Sequence, residues 1–188
     1  MQALTVAHPY VHIESAGPLV APNAATMFPF LRWSRRCLGT SVAPPLQPFH
    51  LAFPVRDIQA TQRFYVDVLQ CSVGRQVPEW IDFNFFGHQI TAHVKPEECG
   101  TLLRSNTVDS DDIPVRHFGI VLQWADWEKL AKRCEDMKVP FVVPPKVRFA
   151  GEVGEQGVFF VQDPSGNFLE FKTFKDIAAS LFQPYPTQ

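Results

Sequence analysis

Three side chains stand where they could share a divalent cation: His50 opening the apolar run HLAFPV, His117 opening HFGIVL, and Glu170 between Leu169 and Phe171 in NFLEFKTF. Two imidazoles and one carboxylate make the 2-His-1-carboxylate set, which occupies one face of a metal and leaves the other positions open. Fe(II) suits that set best, with Mn(II) and Zn(II) as alternatives. Taken singly, each residue has a plainer reading. A histidine at a strand start can be a hydrogen-bonded, half-buried residue, and Glu170 could face solvent from an edge strand. What joins the three is a repeat.

The stretch PFHLAFPVRDIQATQRFYVDVLQ reads as a short strand, Asp57 as N-cap, and a helix with Ile58, Phe64, Tyr65, Val68 and Leu69 at helical spacing. The stretch VRHFGIVLQWADWEKLAKRCEDMKV repeats the scheme, with Asp126 near the helix start and Trp127, Leu130, Ala131 and Cys134 along one face. His50 and His117 hold corresponding places. WIDFNFF and HQITAHV follow the first helix as strands; FVVPPKVRF, GVFFVQD and NFLEFKTF follow the second. Each copy is too small to cover its own sheet, so two half-sheets must pack together and bring equivalent positions toward one cavity. Strand alternation puts His50 on a face with Ala52 and Pro54, and His117 with Gly119 and Val121. Such small neighbours leave room for a metal and its ligand. Glu170 faces away from Leu169 and Phe171, and a carboxylate buried there needs a partner or a cation.

The rest of the chain narrows the class. With 188 residues, 46% of them hydrophobic and a formal charge of -2, the chain can bury a substantial core and lacks the basic excess a nucleic-acid groove requires. No apolar run reaches bilayer length, so no membrane span is expected. The four cysteines have no C-x-x-C spacing and read as free thiols of a reducing compartment, which points to the cytoplasm. Residues 1–46, rich in Ala, Pro and Ser, read as a loosely ordered extension. Within it MFPFLRWSRRCLGTS, basic and without acid, has the composition of a mitochondrial targeting segment, the alternative to a cytoplasmic location. A single domain is expected over 47–176, with modules at about 48–96 and 114–175, and a tail over 177–188.

The doubled strand-helix-strand scheme, the histidine opening each copy, FYVDVLQC and the closing QDPSGNFLEFK resemble the vicinal oxygen chelate superfamily, which includes glyoxalase I, bleomycin-resistance proteins and type I extradiol dioxygenases. The resemblance covers about Pro48 to Lys175. It implies an α+β fold of two βαβββ modules forming a half-open eight-stranded barrel, with metal positions on His50, Thr91, His117 and Glu170. A homodimer is implied as well.

Thr91 separates the branches. Glyoxalase I is expected to place a fourth ligand there, whereas the extradiol dioxygenases leave the place empty, so the resemblance is closest to the dioxygenase branch. It then implies His88 as the acid/base, with Phe83, Phe85 and Phe160 walling out water. It also implies a tyrosine where Phe160 stands and a histidine in PPKVRFAGEVGEQG, where only Arg148, Glu155 or Gln156 could substitute. The expectation is a ring-cleaving, Fe(II)-dependent dioxygenase acting with O2 on a small substrate with vicinal oxygens. The alternatives are a glyoxalase-like isomerase or lyase, with His93 near the place of the missing ligand, and a non-catalytic binding protein of the bleomycin-resistance type.

Overall fold

In the computed structural model the described residues are 47–100, 105–108, 111–152 and 154–182. The extension 1–46, with its candidate targeting segment, lies outside them, as do residues 183–188. The chain order is β1 (His50–Val55), α1 (Ile58–Gln62), which passes into a π-helical turn (Arg63–Val68), β2 (Ser72–Val77), β3 (Trp80–Phe85) and β4 (His88–Val94). A hairpin of β5 (Ser105–Val108) and β6 (Asp111–Pro114) leads to β7 (His117–Val121) and α2 (Trp124–Asp136). The chain then forms β8 (Phe141–Arg148), β9 (Gln156–Gln162), β10 (Phe168–Phe174) and a short α3 (Ile177–Ser180) within the expected tail.

The architecture is α+β and the repeat is real at the level of topology. Sheet one has the order β1-β4-β3-β2 and sheet two the order β7-β10-β9-β8. In each, the first strand runs parallel to the last of its own module, β1 beside β4 and β7 beside β10. These are two βαβββ modules, each with its histidine-bearing strand at an edge. The registers correspond row by row: Ala52, Thr91 and Asp82 lie abreast in sheet one where Gly119, Glu170 and Phe160 lie abreast in sheet two.

One face of each sheet builds the core. Asp57 caps α1, its Oδ1 accepting from the Ala60 N–H at 2.8 Å, and the helix buries Phe64, Tyr65, Val68 and Leu69. In α2 the buried residues are Trp127, Leu130, Ala131 and Cys134, the spacing of one helical face. Trp127 donates its Nε1–H to the Phe171 carbonyl at 3.0 Å. A Cβ on Gly157 would come within 2.8 Å of the Thr173 methyl and 3.0 Å of the Trp127 ring, so a larger residue there would crowd the contact between β9 and α2. Phe53 meets Phe118 at 5.2 Å and Phe85 meets Phe171 at 6.2 Å between ring centres, so a single cluster spans both modules. Phe83 and Phe85 therefore belong to this core face and not to a wall around the metal positions, which corrects the sequence expectation. Strand parity explains it: Asp82, not its neighbours, points to the histidine face of β3.

The DPSGN stretch is a staple between modules. Asp163 Oδ1 accepts from the N–H groups of Ser165 and Asn167, each at 2.8 Å. Its Oδ2 accepts from Asn167 Nδ2 at 2.9 Å and from the buried Tyr65 hydroxyl at 3.3 Å. Asn167 Nδ2 also donates to the Pro54 carbonyl at 2.9 Å, and Ser165 Oγ accepts from the Arg56 N–H at 2.9 Å. The loop before β10 is thereby tied to the end of β1 and to the first helix.

Candidate metal centre

His117 and Glu170 meet. Gly119 lies opposite Glu170 in the parallel β7–β10 pair, and a Cβ at Gly119 would overlap the Glu170 carbonyl oxygen. Glycine is what lets the two strands close. On the exposed face of this pair His117 Nε2 stands 3.2 Å from Glu170 Oε2, and Lys172 Nζ lies 3.4 Å from Oε1. The other ring nitrogen, Nδ1, is 2.6 Å from the Pro114 carbonyl. A carbonyl can only accept, so Nδ1 carries a proton and the lone pair available for ligation is on Nε2.

The electrostatics follow from that arrangement. The hydrogen bond to Glu170 is the main reason the His117 pKa is raised, with partial burial pulling the other way. For Glu170, burial pushes the carboxyl up, but His117 and Lys172 together outweigh it and the net shift is downward. Imidazole and carboxylate each favour the other's charged form, and between Nε2 and Oε2 they ask for a proton or a metal cation. A nitrogen and an oxygen donor, with the imidazole oriented by a backbone carbonyl on its far side, is the chemistry of a divalent metal site.

His50 stands apart. It is exposed at the start of β1, abreast of Gln89. Among the described residues no three His, Cys, Asp or Glu side chains gather closely enough to hold a metal. The reason lies in topology: β1 and β7 are edge strands of different sheets, so the repeat puts its two histidines in equivalent places that do not coincide.

The histidine face of sheet one carries its own polar cluster. Thr91, at the place equivalent to Glu170, donates its hydroxyl to Asp82 Oδ1 at 2.6 Å. Asp82 Oδ2 accepts from Arg75 Nε at 2.9 Å and Gln89 Nε2 at 3.1 Å. Burial raises the Asp82 carboxyl, yet these donors win and hold it below the usual carboxylate range. His93, abreast of Pro54 and Trp80, is half-buried one row further along. Asp82 is a residue the sequence reading missed, although it carried the same signal as Glu170: a lone carboxylate between large apolar neighbours, in IDF as in LEF.

His88 sits on the other parity, with Ile90 and Ala92. Its Nδ1 accepts the Phe49 N–H at 2.9 Å, which anchors the chain entering β1, and its ring borders an open cleft with Arg75, Asp82, Asn84 and Gln89.

Sheet two extends beyond the metal pair. Phe160 is buried and meets the His117 ring edge-on at 5.1 Å. Phe160, Val158 and Val143 form a small cluster apart from the main core, and Ile113 of β6 packs on it. At the far side Asp111 pairs with Lys146 and, at 2.7 Å, with Arg148 Nη2. Lys146 first and then Arg148 hold the Asp111 carboxyl below its ordinary value. Glu155 is engaged elsewhere, by Lys175 at 3.1 Å and the Gly151 N–H at 2.6 Å.

Residues 47–171 match the family model described as the Glyoxalase/Bleomycin resistance protein/Dioxygenase superfamily. Among solved structures, a glyoxalase/bleomycin resistance protein/dioxygenase from Alicyclobacillus acidocaldarius is 34% identical, with a TM-score of 0.59 over 69% of this chain and 92% of that one. A genomically encoded fosfomycin resistance protein from Listeria monocytogenes, 16% identical with a TM-score of 0.51 over 68% and 93%, has a similar fold. No curated protein matches the sequence. Among the described residues no helix is long and apolar enough to cross a membrane. With its two βαβββ modules and a family match over most of its length, the chain belongs to the glyoxalase/bleomycin resistance protein/dioxygenase superfamily.

Proposed function

We propose that the protein is a metal-dependent enzyme in which His117 and Glu170 of one chain and His50 of a second copy hold the metal, Fe(II) by preference. The observation that carries this reading is the His117–Glu170 pair, two ligands aimed at each other with the imidazole tautomer set by Pro114. A homodimer supplies the third ligand because β1 and β7 are both edge strands. A two-fold axis that lays sheet one of one copy beside sheet two of the other brings His50 to the place its repeat-mate lacks. When bound, the metal would act as a Lewis acid toward two neighbouring oxygens of a small substrate and, as Fe(II), couple that substrate to O2. The chain's own residues bind and orient. Phe160 keeps water from the His117 side, whereas His88, expected from the sequence as the acid/base, stands on the opposite parity of β4 and accepts the Phe49 N–H, so its part is to anchor the chain entering β1.

A second reading, isomerase or lyase chemistry, is favoured by Phe160 itself, which puts an apolar ring where a dioxygenase of this family is expected to keep a phenol. The test is metal analysis of protein prepared without oxygen, then oxygen uptake with a panel of catechols. Stoichiometric iron with substrate-dependent uptake supports the dioxygenase. Bound metal without uptake on any diphenol moves the assignment to proton-transfer chemistry, and full metal retention by Glu170→Gln removes the metal assignment altogether.

A further inference from the structure

The β6 strand does not extend either sheet. Its backbone pairs with β5, and it lies across the face of sheet two that carries Phe160 and Glu170, from one edge toward the other. Asp111 sits on Lys146 and Arg148, Ile113 on Val143, Val158 and Phe160, and the Pro114 carbonyl at His117. The register gives the spacing. Glu170, Phe160 and Val143 are abreast on β10, β9 and β8, and Lys172, Val158 and Lys146 are abreast in the next row. With strands about 4.8 Å apart, the basic pole on β8 is about 10 Å from the metal pole on β10. Between the poles lies an apolar floor on which Ile113 packs, with the His117 ring against the edge of Phe160.

An apolar surface with a few convergent polar groups is what a small-molecule site consists of, and here the protein's own segment packs on it. We infer that this face binds a small organic acid, an aromatic or branched apolar body with a carboxylate at the Lys146–Arg148 pole, and that Asp111 and Ile113 occupy its place until it arrives. The inference rests on the metal reading only for which end of the ligand meets His117 and Glu170. Two cations converging on one carboxylate, one of them a planar guanidinium, match an organic acid better than a lone point charge would. A two-stranded hairpin is marginal by itself and depends on what its side chains touch, which for the described residues of β6 includes these contacts to sheet two. Pro114, three residues before His117, is the fixed end, so displacement lifts Asp111 and Ile113 and leaves the His117 tautomer in place.

The probes are 4-phenylbutyrate and its uncharged counterpart 4-phenylbutanol, titrated in chelator into the full chain and into Glu170→Gln, with hydrogen exchange followed over 105–114. The acid should bind at least about ten-fold more tightly than the alcohol and should speed exchange in that segment. Asp111→Asn, which removes the competing carboxylate, should tighten the acid's binding about ten-fold, and Lys146→Gln or Arg148→Gln should abolish the preference; Lys146→Gln serves if the less exposed Arg148 cannot be replaced without unfolding. Equal binding of acid and alcohol, unchanged or weaker binding by Asp111→Asn, or slower exchange over 105–114 would each overturn the inference. Because the readout needs no metal, its failure leaves the metal assignment standing. Metal retention by Glu170→Gln would sink that assignment and leave this one untouched.

Discussion

His50→Ala and Glu170→Gln proteins, each expected to lose its metal alone, should together regain about a quarter of the wild-type metal content once their subunits exchange. The fraction follows from where the ligands lie. His117 and Glu170 share one chain's sheet two, while His50 is on an edge of sheet one and, among the described residues, forms no three-ligand group with them. Random exchange makes about half of the dimers mixed. In a mixed dimer one site takes His117 and Glu170 from the His50→Ala chain and His50 from the other chain, and is whole. The second site lacks both replaced ligands. One good site in two, in half of the dimers, gives the quarter. The assay is metal per chain after size exclusion, with each variant alone as baseline and exchange verified by mass-tagged subunits. If the chains exchange and the mixture stays at the baseline, the site does not form across the dimer. If His50→Ala alone keeps full metal, His50 is not a ligand at all.

Other expectations follow from single contacts. Gly119→Ala forces a Cβ into the Glu170 carbonyl and should cost about 1–3 kcal/mol or more by denaturant midpoint, with metal loss at concentrations where the fold survives. In metal-free protein the advantage of Glu170 over Gln should be present in mildly acid solution. The raised His117 value means that its contribution is full below the unfolded histidine value and is lost as pH rises through the folded one. The lowered Glu170 value means that its contribution is lost as pH falls through the folded carboxyl. Denaturant titrations of both proteins across the pH range check the window, and a difference that grew into alkaline solution would contradict the pairing. Tyr65→Phe should cost about 1 kcal/mol or less, because the hydroxyl bond to Asp163 is long at 3.3 Å and three other donors remain on that carboxylate. Burial pushes the Cys71 and Cys134 thiols up to about 12 and about 11, so native protein treated with iodoacetamide at mildly alkaline pH should show neither modified by peptide mapping.

What could be read from the sequence was whatever strand parity and helical period encode locally. The two helix faces, the α1 cap at Asp57 and the strands that carry His50, His117 and Glu170 fall where the pattern of apolar residues puts them. β2 escaped because SVGRQV is exposed along its whole length and has no apolar alternation to betray it. The β5–β6 hairpin escaped because DDIP carries a single apolar side chain, and its position comes from Asp111 meeting Lys146 and Arg148, which are 35 and 37 residues away. Phe83 and Phe85, expected at the wall of the site, face the core because β3 turns Asp82, a lone carboxylate among apolar residues like Glu170, to the histidine face. The separation of His50 from its partners is beyond local pattern altogether: a repeat tells which residues are equivalent, not whether their edges face each other within one chain.

The polar cluster of sheet one bears on what the proposed metal could take. Asp82 is already satisfied by Thr91, Arg75 and Gln89, so it has no charge to spare for a cation, and Thr91 fills the place equivalent to Glu170 with a neutral hydroxyl turned toward Asp82. A divalent cation held by His50, His117 and Glu170 would thus meet only one carboxylate and keep a net positive charge, a condition that favours a substrate able to present an anionic oxygen pair. A second carboxylate, as a fourth ligand, would cancel that charge. Thr91→Glu should therefore weaken the binding of a chelating diol anion while strengthening metal retention; tighter binding of the diol by this variant would show that the single carboxylate does not govern which substrate the site accepts.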